Sequence, residues 1–277
     1  MSIIEALIFG IVQGLTEFLP VSSTAHIVIT QMVFGYTFPG LAFEIYLHIG
    51  SILAVILYFR KDLADVITGF FGYFKTKSQE HRIQFWFAIY IVVATVITGG
   101  LGVLLSDVIG DAMKTPLFIA VALSVTGIFL IIIERFHTYG NRSEKNMTFF
   151  DSIVVGLGQT LAVFPGISRS GATLVTALFM GLNRETAVRY SFLLSIPVIL
   201  GSTVLAFDEI SAGGFASIGI GALTISFLAS FIFSWIGIVW LIEFLKRSKL
   251  TYFAIYCFAV AILVYLFIDP STVIEID

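Results

Sequence analysis

The residues able to do chemistry in this chain gather in two short stretches. In the first, Gln13 and Glu17 lie four apart and share a helix face, and Leu19-Pro20-Val21-Ser22-Ser23-Thr24-Ala25-His26 follows at once. In the second, Pro165-Gly166 leads into Ile167-Ser168-Arg169-Ser170, with Thr173 one turn on. Arg169 carries a planar fork of donors that can engage two phosphate oxygens, and the flanking hydroxyls and backbone N–H groups can complete an anion cradle. Ser23 is the candidate nucleophile, with Ser22 its close rival, and His26 comes within reach if a helix starts at the serines. Glu17 can act as a base or ligate Mg²⁺, whereas Gln13 offers only its amide. Two plainer readings compete. Either serine can simply cap a helix, and Arg169 with Glu17 can be a structural ion pair, a role compatible with function.

The elements that hold these residues must sit in a bilayer. Of 277 residues, 58% are hydrophobic and 12% charged, against about 45–50% and about 25% in soluble domains, and the mean hydropathy is +1.02. So few charges cannot clothe a soluble fold of this size. A net charge of −3 removes the basic face that nucleic-acid binding needs, and the hydropathy excludes disorder. The single cysteine, Cys257, excludes an intramolecular disulfide or a cysteine metal cluster and reads as a packing residue. The N-terminus has no basic residue before its first apolar run, so that run reads as part of the folded chain and not as a removable signal.

Apolar runs of spanning length lie at about 41–59, 85–105, 115–133, 188–207, 217–242 and 251–268. Stretches 3–33 and 150–182 are also apolar, but each is interrupted by one of the two polar clusters. Proline and glycine expose backbone groups that hydrocarbon cannot satisfy, so both interruptions must be buried in protein or line a wet cavity. The pattern predicts an all-α polytopic membrane protein, one domain over 1–277, with six transmembrane helices and two re-entrant helix-loop-helix hairpins. A kinked spanning helix in each broken stretch is the alternative.

Thirteen of the fifteen Lys and Arg residues fall between alternate spans: Arg60 to Arg82, Arg135 to Lys145, Arg184 and Arg189, and Lys246 to Lys249. The positive-inside rule makes that side cytoplasmic and places both termini outside. Lys114 falls opposite, with Asp107, Asp111, Asp208, Glu209, Asp269, Glu275 and Asp277. Arg169 lies within the second hairpin. His81 and His137 fall in cytoplasmic loops, and Glu44 and His48 open the first span either as outer support for the site or as an interfacial face.

Pairing residue n with n+146 gives identities at Gly10/Gly156, Gln13/Gln159, Leu15/Leu161, Phe18/Phe164, Ser22/Ser168 and Thr30/Thr176. Each half, about 1–135 and 147–270, is one broken hairpin and three spans. Three being odd, the second half is inverted. Inverted repeats with broken helices place anion sites near the midplane, an architecture that also suits a carrier.

At these residues the sequence resembles the undecaprenyl-diphosphatase family associated with bacitracin resistance. The resemblance rests on Gln13 to His26, on Pro165 to Thr173, and on Glu44 to Val55 with its Gly50-Ser51-Ile52-Leu53-Ala54. It implies hydrolysis of undecaprenyl diphosphate to the monophosphate in a bacterial plasma membrane, recycling the carrier of peptidoglycan synthesis. It makes Glu17, Ser23, His26 and Arg169 central, and Gln13, Ser22, Thr24, Ser168, Ser170 and Thr173 substrate contacts. It also implies Mg²⁺ or another divalent cation at Glu17, and a homodimer is compatible with it. Two departures stand out: Gln13 where the family often has Glu, and His48 where Gln is expected. The first shifts more of the metal or acid–base role to Glu17. A prenyl-phosphate transporter or flippase using the same anion site is the rival function, and an inactive lipid-binding relative is disfavoured by the intact motifs.

Overall fold

The computed structural model describes residues 1–36, 38, 42–105, 113–136, 140–205, 218–247 and 249–269. Of the sequence expectations, those on Asp107, Asp111, His137, Asp208, Glu209, Glu275 and Asp277 lie outside the described residues. The helices are α1 (Ile3–Glu17), α2 (Ser23–Phe34), α3 (Ala42–Tyr58), α4 (Arg60–Thr76), α5 (Gln79–Leu105), α6 (Pro116–Phe136), α7 (Phe149–Thr160), α8 (Arg169–Phe179), α9 (Arg184–Leu205), α10 (Ile220–Arg247) and α11 (Thr251–Phe267). No strand occurs among the described residues. Helices α5, α6, α9 and α10 are long and apolar enough to cross a membrane, and α3 with α4 passes as a pair bent by 73°.

Both polar clusters interrupt helices. The break from α1 to α2 covers residues 18–22, and α7 gives way through a 3₁₀ turn, Leu161–Val163, to a loop that ends at α8. The outer ends of each broken pair are tied together. Glu5 completes a capping box with Ser2, and its carboxylate accepts from Tyr36 Oη (2.7 Å) beyond α2. In the second pair, Arg142 donates to Asp151 on α7 (3.0 and 2.5 Å) and to the Met180 carbonyl at the end of α8 (2.7 Å). Each break is therefore the tip of a hairpin.

Small residues let these hairpins press closely on longer helices. A Cβ at Gly14 would lie 2.7 Å from the Ser230 carbonyl oxygen and the Ser234 nitrogen of α10, and one at Gly10 would strike the Ser226 carbonyl. On α7, a Cβ at Gly156 would come within 3.0 Å of Ala94 Cα on α5. Hydroxyls stitch the same contacts: Ser230 Oγ donates to the Leu47 carbonyl of α3 (2.7 Å), and Thr98 Oγ1 of α5 to the Gly156 carbonyl (3.1 Å). Close backbone approach with hydroxyl bonding suits helices that meet in hydrocarbon, where apolar burial alone gives little drive.

The basic groups meet at one end of the bundle. Arg189 of α9 binds Asp62 of α4 (2.6 Å) and also Glu144. Arg184 reaches Glu134 at the end of α6 (3.4 Å) and the Leu245 carbonyl of α10 (3.0 Å), and Glu134 accepts from Leu250 N (3.0 Å).

Helix α4 departs from the sequence expectation, which leaves 60–84 as a cytoplasmic connection. Its charges lower the mean hydropathy, yet Leu63, Val66, Ile67, Phe70 and Phe74 recur at helical spacing. It turns away from α3 and lays Gly69 and Gly72 on the start of α5, where added Cβ atoms would meet Gln84 and His81. His81 is thus on α5, accepting or donating at Nδ1 with Thr76 Oγ1 (2.7 Å), and not in a loop.

Gly14→Val is expected to lower stability by about 1–3 kcal/mol or more through overpacking against unyielding backbone. Gly201→Ala, into open space, is expected to leave it unchanged. Thermal unfolding of the two variants in detergent checks both.

Candidate active site

The tips of the two hairpins meet at one carboxylate. Glu17 ends α1 and is 4% exposed. Its Oε1 accepts from Arg169 Nη2 at 2.6 Å. Its Oε2 accepts from Ser23 Oγ at 2.7 Å and Gln13 Nε2 at 2.8 Å, and lies 3.0 Å from His48 Nε2. Four elements thus send donors to one side chain: α1 itself, the start of α2, the middle of α3 and the start of α8. Burying a lone carboxylate is costly; an arginine, an imidazole, an amide and a hydroxyl together offset that cost here.

Local backbone chemistry sets these positions. Ser22 stands at φ +68°, a conformation rare outside glycine, and its Oγ caps α2 by accepting from Ala25 N (3.3 Å). That bend turns the chain so that Ser23, the first residue of α2, faces back to Glu17. Across the tip, Ser168 caps α8 by accepting from Gly171 N (3.0 Å), and Arg169 follows as its first residue. Gly166 takes φ +96°, where a Cβ would also meet Ala122. Ser170 Oγ donates to the Leu19 carbonyl (2.9 Å) and so ties the second tip to the first.

A cavity of about 230 Å³ opens beside the carboxylate, walled by Glu17, Ser22, Ser23, Thr24, Ser168 and Arg169 of the sequence-predicted set. The other predicted residues lie outside its wall. Gln13 is buried behind Glu17. Ser170 bonds across the tips. Thr173 is fully buried, donating to the Arg169 carbonyl (3.0 Å) and sharing a 2.5 Å contact with Ser191 of α9; it fixes α8 and does not face the cavity.

His26 is turned from Ser23. Its Nδ1 lies 2.7 Å from the Ser22 carbonyl, and its Nε2 lies 2.8 Å from Tyr256 Oη of α11, on whose ring it stacks at 5.6 Å. A carbonyl only accepts, so Nδ1 donates and the ring braces the strained turn. The imidazole that reaches the carboxylate is His48. Its Nδ1 also bonds the Glu44 carbonyl. With acceptors on both sides, a proton lies between His48 Nε2 and Glu17 Oε2. The signal in the sequence was the Glu44/His48 pair at the mouth of α3; what it lacked was the register of α3 on α1. Gln13 and His48 both meet Glu17 at Oε2.

For a divalent cation, no three His, Cys, Asp or Glu side chains cluster among the described residues. Glu17 is one oxygen donor, and the buried Gln13 Oε1 beside it has no hydrogen-bond partner. Glu17 already takes four donors and Gln13 lies behind it, outside the cavity wall, so the pair would hold Mg²⁺ only once a donor is displaced, with water and substrate phosphates supplying most of the coordination.

The bacitracin resistance protein BacA model matches residues 6–263. The chain belongs to that family. Among its relatives, undecaprenyl-diphosphatase 2 of Halalkalibacterium halodurans is 69% identical over 278 residues, covering 100% of both chains. Undecaprenyl-diphosphatase 1 of Shouchella clausii is 59% identical, covering 97% of this chain and 98% of its own. The undecaprenyl-diphosphatase of Methanosphaera stadtmanae is 39% identical over 95% of this chain and 97% of its own. As a BacA family member with several helices of spanning length, this is a membrane protein.

Removing one partner of the buried pair should be severe. Arg169→Met is expected to cost up to about 3–5 kcal/mol by removing the guanidinium from the buried Glu17, with His48, Gln13 and Ser23 left to compensate it. Adding Glu17→Gln should recover part of it, a coupling that a double-mutant cycle on unfolding midpoints measures.

Proposed function

We propose that this chain is an undecaprenyl-diphosphatase, releasing phosphate from undecaprenyl diphosphate to leave the monophosphate, and thereby conferring bacitracin resistance. The names of the full-length relatives support this reading. The observation that carries it chemically is the contact of Ser23 Oγ with Glu17 Oε2 (2.7 Å) directly beside Arg169, a hydroxyl, a base and an anion anchor on one cavity wall.

Diphosphate entering the cavity takes over the donors of Arg169 and meets the Thr24 hydroxyl, while Ser168, its hydroxyl engaged with Ser170 and Gly171, walls the site and caps α8. Ser23 Oγ attacks the terminal phosphorus, its proton passes to Glu17 Oε2, and the bond to the bridging oxygen breaks, releasing undecaprenyl phosphate. Water then cleaves the phosphoserine: Glu17 returns its proton to the departing Ser23 Oγ, takes one from the attacking water and releases it to solvent as phosphate leaves. In the alternative route Glu17 activates water directly and Ser23 only binds phosphate. His48 and Gln13 hold Glu17 in register, and His26 holds the turn that aims Ser23. Mg²⁺, held by Glu17 with the Gln13 amide oxygen nearby, would offset charge on the phosphate oxygens. Catalysis of this kind is chiefly positioning and electrostatic stabilisation.

We read the bundle as six crossings with two re-entrant hairpins, in two inverted halves. The mirrored packing supports this: α1 lies on α10 as α7 lies on α5, and Ser230 Oγ of α10 bonds the α3 backbone as Tyr190 Oη of α9 bonds the α5 backbone. The basic end linked by Arg184 and Arg189 supports a cytoplasmic assignment, with both termini outside. The cavity is walled by the first turns of α3 and the last turns of α9, through Glu44, Ile45, Ile199 and Ser202, so it opens away from that end. Towards it a narrow void of about 10 Å³ lies against Arg169, pinched by Phe18, Leu174 and Phe192, and beyond that a cavity of about 560 Å³ among Asp62, Arg184, Arg189 and Lys246 shares Val188 and Leu245 with it.

Phosphate release from undecaprenyl diphosphate by the purified protein with Mg²⁺ tests the assignment. Arg169→Ala and Glu17→Gln are expected to lose at least about a hundredfold. Rapid quench should trap phosphate on Ser23 in the wild type. A competent wild type that yields no phosphoserine selects direct attack by water, and no release across several divalent metals overturns the assignment.

A further inference from the structure

The polar cavity has an apolar neighbour. Between α6, the end of α7 and α8 lies a second cavity of about 250 Å³. Ile167 and Ser168, at the tip of the second hairpin, line both. The two spaces are therefore separated by a single pair of residues immediately before Arg169.

The second cavity offers nothing to a polar ligand. Its polar side chains are already engaged: Thr126 Oγ1 accepts from Ser168 N (3.3 Å), Ser168 Oγ contacts Ser170 Oγ and accepts from Gly171 N, and Thr176 Oγ1 donates to the Ala172 carbonyl (2.7 Å). What remains is hydrocarbon, with Phe129 and Ile133 on one wall, Val175 and Phe179 on the other, and Gly171 and Ala172 leaving room between. It runs along α6 from Thr126 at site depth to Ile133, about 10 Å at helical rise. At the outer end Ile132 and Phe179 are exposed on the bundle surface, so the space opens sideways to the surroundings of the bundle.

We propose that this apolar cavity seats the first prenyl units of the lipid whose diphosphate occupies the polar cavity, Ile167 and Ser168 forming the lip over which the chain passes. The proposal rests on the hydrolase reading. An amphiphile with a charged head and an apolar tail requires a polar and an apolar space with a common edge, and these two cavities have one. The remaining prenyl units leave past Phe179 into lipid, which makes the cavity a selector for an apolar chain and not a ruler of its full length.

Filling the far end of the cavity tests this. Val175→Phe on α8 and, on the facing wall, Ile132→Trp narrow it at a distance from Glu17 and Ser23; two walls guard against one variant failing to fold. The readouts are kcat/KM for undecaprenyl diphosphate and for geranyl diphosphate, whose two units end before the filled region; if geranyl diphosphate is not turned over, its inhibition constant as a competitor serves. The expected result is a fall of at least tenfold for the long substrate, mainly in KM, with geranyl diphosphate within twofold of wild type. Unchanged hydrolysis of the long substrate by a folded variant means that bulk lipid alone occupies the cavity, and overturns the proposal. Equal loss on both substrates in every folded variant also overturns it. Failure of the wild type on both substrates instead removes the hydrolase reading.

Discussion

A single buried carboxylate organises this protein. Glu17 sits almost fully buried at the tip of a broken helix, and its acceptors are filled by Arg169, Ser23, Gln13 and His48. Those donors come from α1, α2, α3 and α8, so the charge can be buried only when both hairpins and α3 have docked. The same requirement accounts for the glycines of α1: Gly10 and Gly14 bring that helix against the α10 backbone and fix the depth at which Glu17 ends it. Hydrogen bonds between the tips, as from Ser170 to Leu19, then complete a polar centre enclosed by apolar helices.

Strain and satisfaction are distributed unevenly around that centre. The Ser22 turn departs from ordinary backbone geometry, and it is braced twice, by the Ala25 amide on its hydroxyl and by the His26 ring on its carbonyl. Tyr256 carries the brace on to α11. Ser23 consequently presents its hydroxyl to Glu17 as the first residue of a helix, without needing a loop to find the geometry. On the other tip, Ser168 and Thr173 secure α8 at both ends of its first turn, and Arg169 projects between them.

Much of this could be read from the sequence because hydrocarbon punishes exceptions. Arg169 and Glu17 within apolar runs, and Pro20 and Pro165-Gly166 inside otherwise helical stretches, mark where the helices break, though a kink in a spanning helix would leave the same marks. Two kinds of feature were hidden. Side-chain direction was one: His26 has the spacing to face Ser23 but turns to Tyr256, while His48, read as peripheral, takes the place beside Glu17. Rotation of α3 about its own axis decides this, and it is set by Ser51 and Leu47 against Ser230 of α10, far along the chain. Amphipathic α4 was the other. Five charges within its span masked a helical pattern that total hydropathy does not register.

The packing of α1 on α10 has a consequence for how the chain is made. The helix that carries Glu17 is translated before the surface it rests on, with most of the bundle between the two, and Arg169 arrives only in between. Through most of synthesis the first hairpin has no final berth and its carboxylate no counter-ion. Long-range closure of this sort is slow and leaves incomplete states exposed. The bundle must therefore seat its first element late, so a truncated chain that ends before α10 holds every predicted catalytic side chain and still lacks the floor on which they are aligned.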